Sequence, residues 1–137
     1  MILKGKTVKK GKVEGEAIVS KLPFSYLGDL NVATGRIVGS GHDLEGKSIA
    51  NKIFVFPTGK GSTAAPDWAA KAKRLGNAPK GMICEEVEPT IAMAAITNDI
   101  PMVHKLDQNP LEVIKTGDYI KMDATKGIVE VIKKGES

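Results

Sequence analysis

Four apolar residues, Ile53-Phe54-Val55-Phe56, run without a polar interruption into Pro57 and then empty into Thr58-Gly59-Lys60-Gly61-Ser62-Thr63. A short run of β-branched and aromatic residues predicts a strand covered on both faces, so the fold has to supply a layer on each side of it. The glycines flanking Lys60 let the backbone bend where a side chain would block it, and amide N–H groups can then converge on an anion. Ser62 stands at the far end of this turn, where a helical pattern begins. A hydroxyl in that place is either a helix cap or a reacting group.

The rest of the chain falls into three stretches. Alternation in Thr7-Val8-Lys9-Lys10-Gly11-Lys12-Val13 and in Glu16-Ala17-Ile18-Val19-Ser20 predicts strands joined by turns, continuing past Phe24–Asp29 and Thr34–Val38 as a small barrel or meander. After Ser62 a helix is predicted over 66–75, with Pro66 and Asp67 in its first turn, bases in its last and Gly76 just beyond. A buried strand over 79–84, a second helix over 88–96 and a strand over 100–103 follow. Residues 110–114 make at most one helical turn, and 118–123 with 128–132 form a closing hairpin. The class is α/β: a β-rich N-terminal part packed with a β-α-β-α-β part. No linker, repeat or low-complexity segment interrupts it, so a single domain over 1–137 with one shared core is expected.

Composition removes several function classes. No apolar run approaches the roughly 20 residues that span a bilayer, and the N-terminus lacks an apolar leader core, so a cytoplasmic protein without a membrane partner is expected. The single cysteine, Cys84, excludes an internal disulfide and reads as packing in a buried strand. With only His42 and His104 beside it, one copy of the chain cannot build a zinc or iron–sulfur site, so any such metal must come from a partner. Net charge is +4, with five lysines between Lys4 and Lys12. Aromatic residues are only 4% and do not interleave with arginines, so the lysines read as a solvated edge strand rather than a nucleic-acid surface.

Three readings compete for the glycine turn. A Walker phosphate loop needs Ser or Thr directly after Gly-Lys, and here Gly61 intervenes. Gly59-Lys60-Gly61-Ser62-Thr63-Ala64 does match the dinucleotide pattern G-x-G-x-x-A, with Glu85 and Glu86 placed about twenty residues on as ribose ligands. The short pattern is weak, and the β structure ahead of it does not suit a first nucleotide-binding strand. In the third reading Ser62 is a base. Serine needs backbone N–H groups, a helix N-terminus and a nearby cation to hold an alkoxide, and Gly59-Lys60-Gly61 can provide them. Spacing alone leaves the cap reading of Ser62 ahead.

Over nearly its whole length the chain resembles the small subunit of the aconitase X family, in its stand-alone archaeal form. The resemblance is carried by Gly15-Glu16-Ala17, Thr34-Gly35-Arg36-Ile37, Leu44-Glu45-Gly46-Lys47-Ser48 and Phe56-Pro57-Thr58-Gly59-Lys60-Gly61-Ser62. It continues through Ala78-Pro79-Lys80, Glu88-Pro89-Thr90-Ile91-Ala92, Asp99-Ile100-Pro101-Met102-Val103 and Gly117-Asp118. Where relatives continue after the serine with small residues and a second serine, this chain has Thr63-Ala64-Ala65-Pro66-Asp67-Trp68.

The resemblance implies a swivelling β/β/α domain and a hydro-lyase active only with a cluster-binding large subunit. That partner would hold a [4Fe-4S] cluster on three cysteines, none being bound by this chain. Ser62 would be the proton acceptor, and the substrate a small hydroxy acid, (R)-5-phosphomevalonate, dehydrated to trans-anhydromevalonate 5-phosphate in isoprenoid biosynthesis. A sister branch of the family dehydrates cis-3-hydroxyproline, and a non-catalytic dinucleotide-binding or regulatory module is the other alternative. Gly59, Lys60, Gly61 and Thr63 are the expected substrate-binding residues. Ser25 with Gly28, and His42 after Gly41, lie in loops that could face the same cleft, and Trp68 is a candidate anchor against the partner.

Overall fold

In the computed structural model, which describes residues 1–135, the apolar run is a strand whose four side chains have no solvent exposure. In chain order the elements are β1 (Ile2–Lys4), β2 (Lys6–Lys9), β3 (Lys12–Val19), α1 (Tyr26–Asp29), β4 (Leu30–Asn31), β5 (Arg36–Ile37) and β6 (Ile53–Phe56). They continue as α2 (Ala65–Arg74), β7 (Gly81–Cys84), α3 (Pro89–Thr97), β8 (Met102–His104), α4 (Pro110–Val113), β9 (Tyr119–Asp123) and β10 (Ile128–Ile132). The last two residues of the expected domain lie outside the described residues. No helix among the described residues is long and apolar enough to cross a membrane.

Eight strands form one sheet in the order β1-β10-β9-β3-β6-β7-β8-β2. The run β3-β6-β7-β8 is parallel and the other pairings are antiparallel. The end strands β1 and β2 are consecutive in sequence, joined by Gly5 alone, so the sheet closes into a barrel. Closure leaves no room for a side chain at the seam. A Cβ on Gly5 would stand 2.5 Å from Leu106 Cδ2, and one on Gly127 would stand 2.3 Å from the Gly5 carbonyl oxygen. Gly127 also has φ +70°, a conformation that favours glycine.

Strand alternation divides β6 between two cores. Ile53 and Val55 point into the barrel with Leu3, Ala17, Ile83, Val103, Ile120, Met122, Val129 and Val131. Phe54 and Phe56 point outward with Met82, Cys84 and Met102, under α2 and α3. The helices meet this face mainly through small residues, Ala65, Ala69 and Ala72 on α2 and Ala94 and Ala95 beside Ile91 on α3, which leaves room for the aromatics beneath. Phe24 is packed edge-on against Phe54, Phe56 and Tyr26, with ring centroids 4.9, 5.9 and 5.0 Å away.

Helices α2, α3 and α4 and the closing hairpin fall within a residue or two of where the sequence puts them, and β6 matches its expected bounds, whereas residues 24–38, expected to continue a barrel or meander, form α1 and the separate two-stranded β4–β5 sheet. Two further expectations change. The β-rich and β-α-β parts share a sheet but fill two cores, because side chains on opposite faces of one strand cannot touch. The lysine-rich N-terminus is also no simple edge strand: it crosses the barrel seam, pairing with β10 through β1 and with β8 through β2.

Asp118 locks the end of the chain to this frame. Its buried carboxylate accepts from the amides of Lys115 and Lys134 at 2.8 and 3.0 Å and from the Lys133 ammonium at 3.0 Å. Burial by itself would raise its pKa, but these donors outweigh it and hold the carboxyl below its ordinary value. Asp118→Ala should therefore lower the unfolding free energy at pH 7 by about 1–3 kcal/mol in urea titration. Because the native pKa is the lowered one, the contribution is complete above about pH 4 and fades as pH falls through the native value. The gap between wild type and variant should accordingly close in acid.

Candidate active site

The turn after β6 is held from two sides. Phe24, fixed in the aromatic cluster, donates its amide to the Thr58 carbonyl at 3.0 Å and accepts from the Lys60 amide at 3.0 Å. The start of α3 presses on Gly59, where a Cβ would lie 2.3 Å from Ile91 Cγ1 and 2.9 Å from Glu88 Oε2. Gly61 has φ +73°, which favours a residue without a Cβ. Gly59 therefore serves close packing, and Gly61 serves the bend.

Ser62 follows with its side chain half-buried. Its Oγ accepts the Ala64 amide at 3.2 Å, and its carbonyl accepts the Ala65 amide at 3.0 Å. The N-cap of α2 is Ala64, which has no side chain to cap with. Ser62 thus stands outside the helix it precedes, and its Oγ receives an N–H at the positive end of a ten-residue helix. That environment favours negative charge on the oxygen. The amides of Gly61 and Thr63 make no hydrogen bond within the described residues, and Thr63 is exposed. They are the neighbours of Ser62 along the backbone and stand unpaired.

Lys60 is not simply solvated. Its ammonium lies 3.0 Å from Oδ2 and 3.3 Å from Oδ1 of Asp29, a carboxylate with only 5% of its side chain exposed. Asp29 also accepts the Ser25 amide at 2.9 Å, while the Ser25 hydroxyl accepts from the Gly28 amide at 3.3 Å as the cap of α1. Ser25 is thus brought beside the turn, but its hydroxyl is engaged. A shallow cavity of about 180 Å³ opens here between Lys60, Asp29, Leu22, Ser40 and His42. The His42 ring is buried, with Nδ1 accepting from the Leu44 amide at 3.1 Å and Nε2 without a partner among the described residues. A larger concavity, about 630 Å³, lies on the barrel strands beside Ile2, Lys12 and Lys121, and none of the turn residues lines it.

The dinucleotide reading does not survive this geometry. Dinucleotides bind on open, doubly wound parallel sheets, whereas β6 belongs to a sheet that closes into a barrel through antiparallel strands beyond β3. Nor is Gly59 open to a pyrophosphate, because α3 lies against it.

A family model described as the aconitase X swivel domain matches residues 2–131. The chain belongs to this family. It is 42% identical over 131 residues to the phosphomevalonate dehydratase small subunit of Methanosarcina acetivorans, covering 96% of this chain and 91% of that one. To the protein of the same name from Thermococcus kodakarensis it is 44% identical over 136 residues, covering 99% and 100%. The crystal structure of Thermococcus kodakaraensis aconitase X in its holo-form superposes with a TM-score of 0.91 at 42% identity, over 97% of this chain and 99% of that one.

Within this aconitase X swivel domain three further residues gather at the turn that local sequence patterns do not reveal. Asp29 pairs with Lys60 from 31 positions away. Glu88 and Thr90 open α3 as its pattern predicts, yet Thr90 Oγ1 also accepts the Ser62 amide at 3.3 Å. The Glu88-Pro89-Thr90 run was visible as a helix start, and only the tertiary fold turns it toward Ser62. Trp68 is partly buried against the helix-side core, with the Lys71 ammonium 5.5 Å from its ring centroid, so it is not a freely displayed anchor. Gly59→Ala tests the packing account. The added methyl should cost about 1–3 kcal/mol in thermal or urea unfolding, because Ile91 is fixed in the core and cannot yield.

Proposed function

We propose that this chain is the small subunit of a two-chain hydro-lyase that dehydrates (R)-5-phosphomevalonate, with Ser62 as the proton acceptor. The relatives named above carry that activity in their names, and this chain covers nearly the whole length of each. The observation that supports the base assignment is the placement of Ser62 Oγ, which receives the Ala64 amide at the head of α2 between the open amides of Gly61 and Thr63.

The substrate carries a tertiary hydroxyl β to a carboxylate, with a CH₂ between them. Ser62, as alkoxide, takes one hydrogen of that CH₂ as a proton. The C–H electrons form the double bond, the hydroxyl departs with its electron pair as hydroxide, and one proton, matched by the one Ser62 later gives up, turns it into water, leaving trans-anhydromevalonate 5-phosphate. As the proton leaves, charge builds on the carboxylate oxygens, and the Gly61 and Thr63 amides are the donors placed to receive it. Lys60 donates to Asp29 Oδ1, lies 3.0 Å from Oδ2, and with its side chain half exposed has N–H left for the substrate's anionic end.

An iron–sulfur group does not fit this chain's own residues. Cys84 is buried, its thiol donates to the Pro57 carbonyl at 3.1 Å, and burial pushes its pKa up to about 12. A thiolate ligand needs the opposite environment. No cluster of three or more His, Cys, Asp or Glu among the described residues could hold a metal. We therefore assign the cluster, and the departure of the hydroxyl group, to the large subunit, with the active site closing at the interface.

Ser62→Ala in the complex reconstituted under anaerobic conditions should lower kcat for dehydration by about 10²–10⁴-fold. Subunit association and the visible absorption of the cluster should be unchanged. Near-wild-type dehydration by that complex would falsify the base assignment.

A further inference from the structure

We propose that Glu88 and Thr90 form a clasp that positions Ser62 for proton removal; this rests on the reading of Ser62 as the proton acceptor. Thr90 Oγ1 carries one proton and donates it to Glu88 Oε2 at 2.6 Å. With its proton committed, the oxygen can offer Ser62 only lone pairs, and it accepts the Ser62 amide at 3.3 Å. The other carboxylate oxygen, Oε1, accepts the Thr90 amide and caps α3. Glu88 thus fixes both the backbone and the hydroxyl of Thr90.

The anchor beneath this clasp is rigid, since the next residue, Ile91, is buried in the helix-side core at 1% exposure. On the other side Ser62 follows Gly61, which stands in the left-handed conformation at φ +73°. Among the described residues, the hydrogen bond from the Ser62 amide to Thr90 Oγ1 is the one that ties the Ser62 backbone to α3. Thr90 reaches Ser62 through the main chain rather than through Oγ, which makes Thr90 and Glu88 positioning residues. A displacement of about 1 Å in a reacting group can cost about 10²-fold in rate.

The test compares Thr90→Val, which keeps the shape and removes the hydroxyl, with Thr90→Ser, which keeps the hydroxyl, each in the complex with the large subunit. Thr90→Val should lower kcat by about 10- to 100-fold while KM changes less than about threefold, and Thr90→Ser should stay within about threefold of wild type in both. Hydrogen exchange over residues 57–64, read by mass spectrometry on the same complexes, should be faster in Thr90→Val and unchanged in Thr90→Ser. The clasp is overturned if Thr90→Val keeps wild-type kcat, if Thr90→Ser is as impaired as Thr90→Val, or if exchange does not separate the two. Ser62→Ala, run beside them, separates the failures. An active Ser62→Ala complex refutes the base, whereas an inactive one with an unimpaired Thr90→Val complex refutes the clasp alone.

Discussion

Ile53 to Phe56 belong to two cores at once, and the rest of the fold is arranged around that division. Two of the four side chains complete the inside of a barrel, and two carry the helices α2 and α3. Neither face can be given up, because each fully buried apolar side chain is worth about 1.5–3 kcal/mol against exposure. The strand must therefore end where both coverings end, and Pro57 stands at that boundary. Parallel strands send their carboxyl ends and the following helix N-termini to the same edge of the sheet. This is why the turn after β6 meets the heads of α2 and α3 together.

Most of the polar groups at that edge are already paired within the chain. Asp29 holds Lys60, Glu88 holds Thr90, Thr90 holds the Ser62 amide, and Phe24 holds the backbone on both sides of Gly59. Each glycine has a separate geometric duty. Among the described residues the Ser62 O–H, the Gly61 and Thr63 amides, part of the Lys60 ammonium and His42 Nε2 have no partner. In the proposed reaction that inventory serves removal of a proton next to a carboxylate.

Much of this was legible in the sequence where periodicity is strong. The bounds of β6, the two helices opened by Pro66 and Pro89, and the hairpin of β9 and β10 follow from local patterning. Barrel closure was not legible, because it depends on Gly5 and on pairings such as Leu3 with Val129, far apart in the chain. The same reason hides Asp29 beside Lys60 and Thr90 beneath Ser62. The expectation of one core failed on a simple point of strand geometry, since a continuous apolar run does not say that its alternate residues face different neighbours. The Gly59-Lys60-Gly61-Ser62 turn was visible as a site from the start, but its glycines were read as an anion nest when Gly59 is occupied by α3.

The most direct test of Ser62 as the proton acceptor follows the proton itself. The reconstituted complex is equilibrated with 5-phosphomevalonate in D₂O, and the α-methylene signals are followed by NMR. Wild-type complex should exchange one of the two α-hydrogens for deuterium, selectively, and Ser62→Ala complex should exchange neither above the buffer background. Exchange by the Ser62→Ala complex at the wild-type rate would contradict the account, since another group would then be taking the proton.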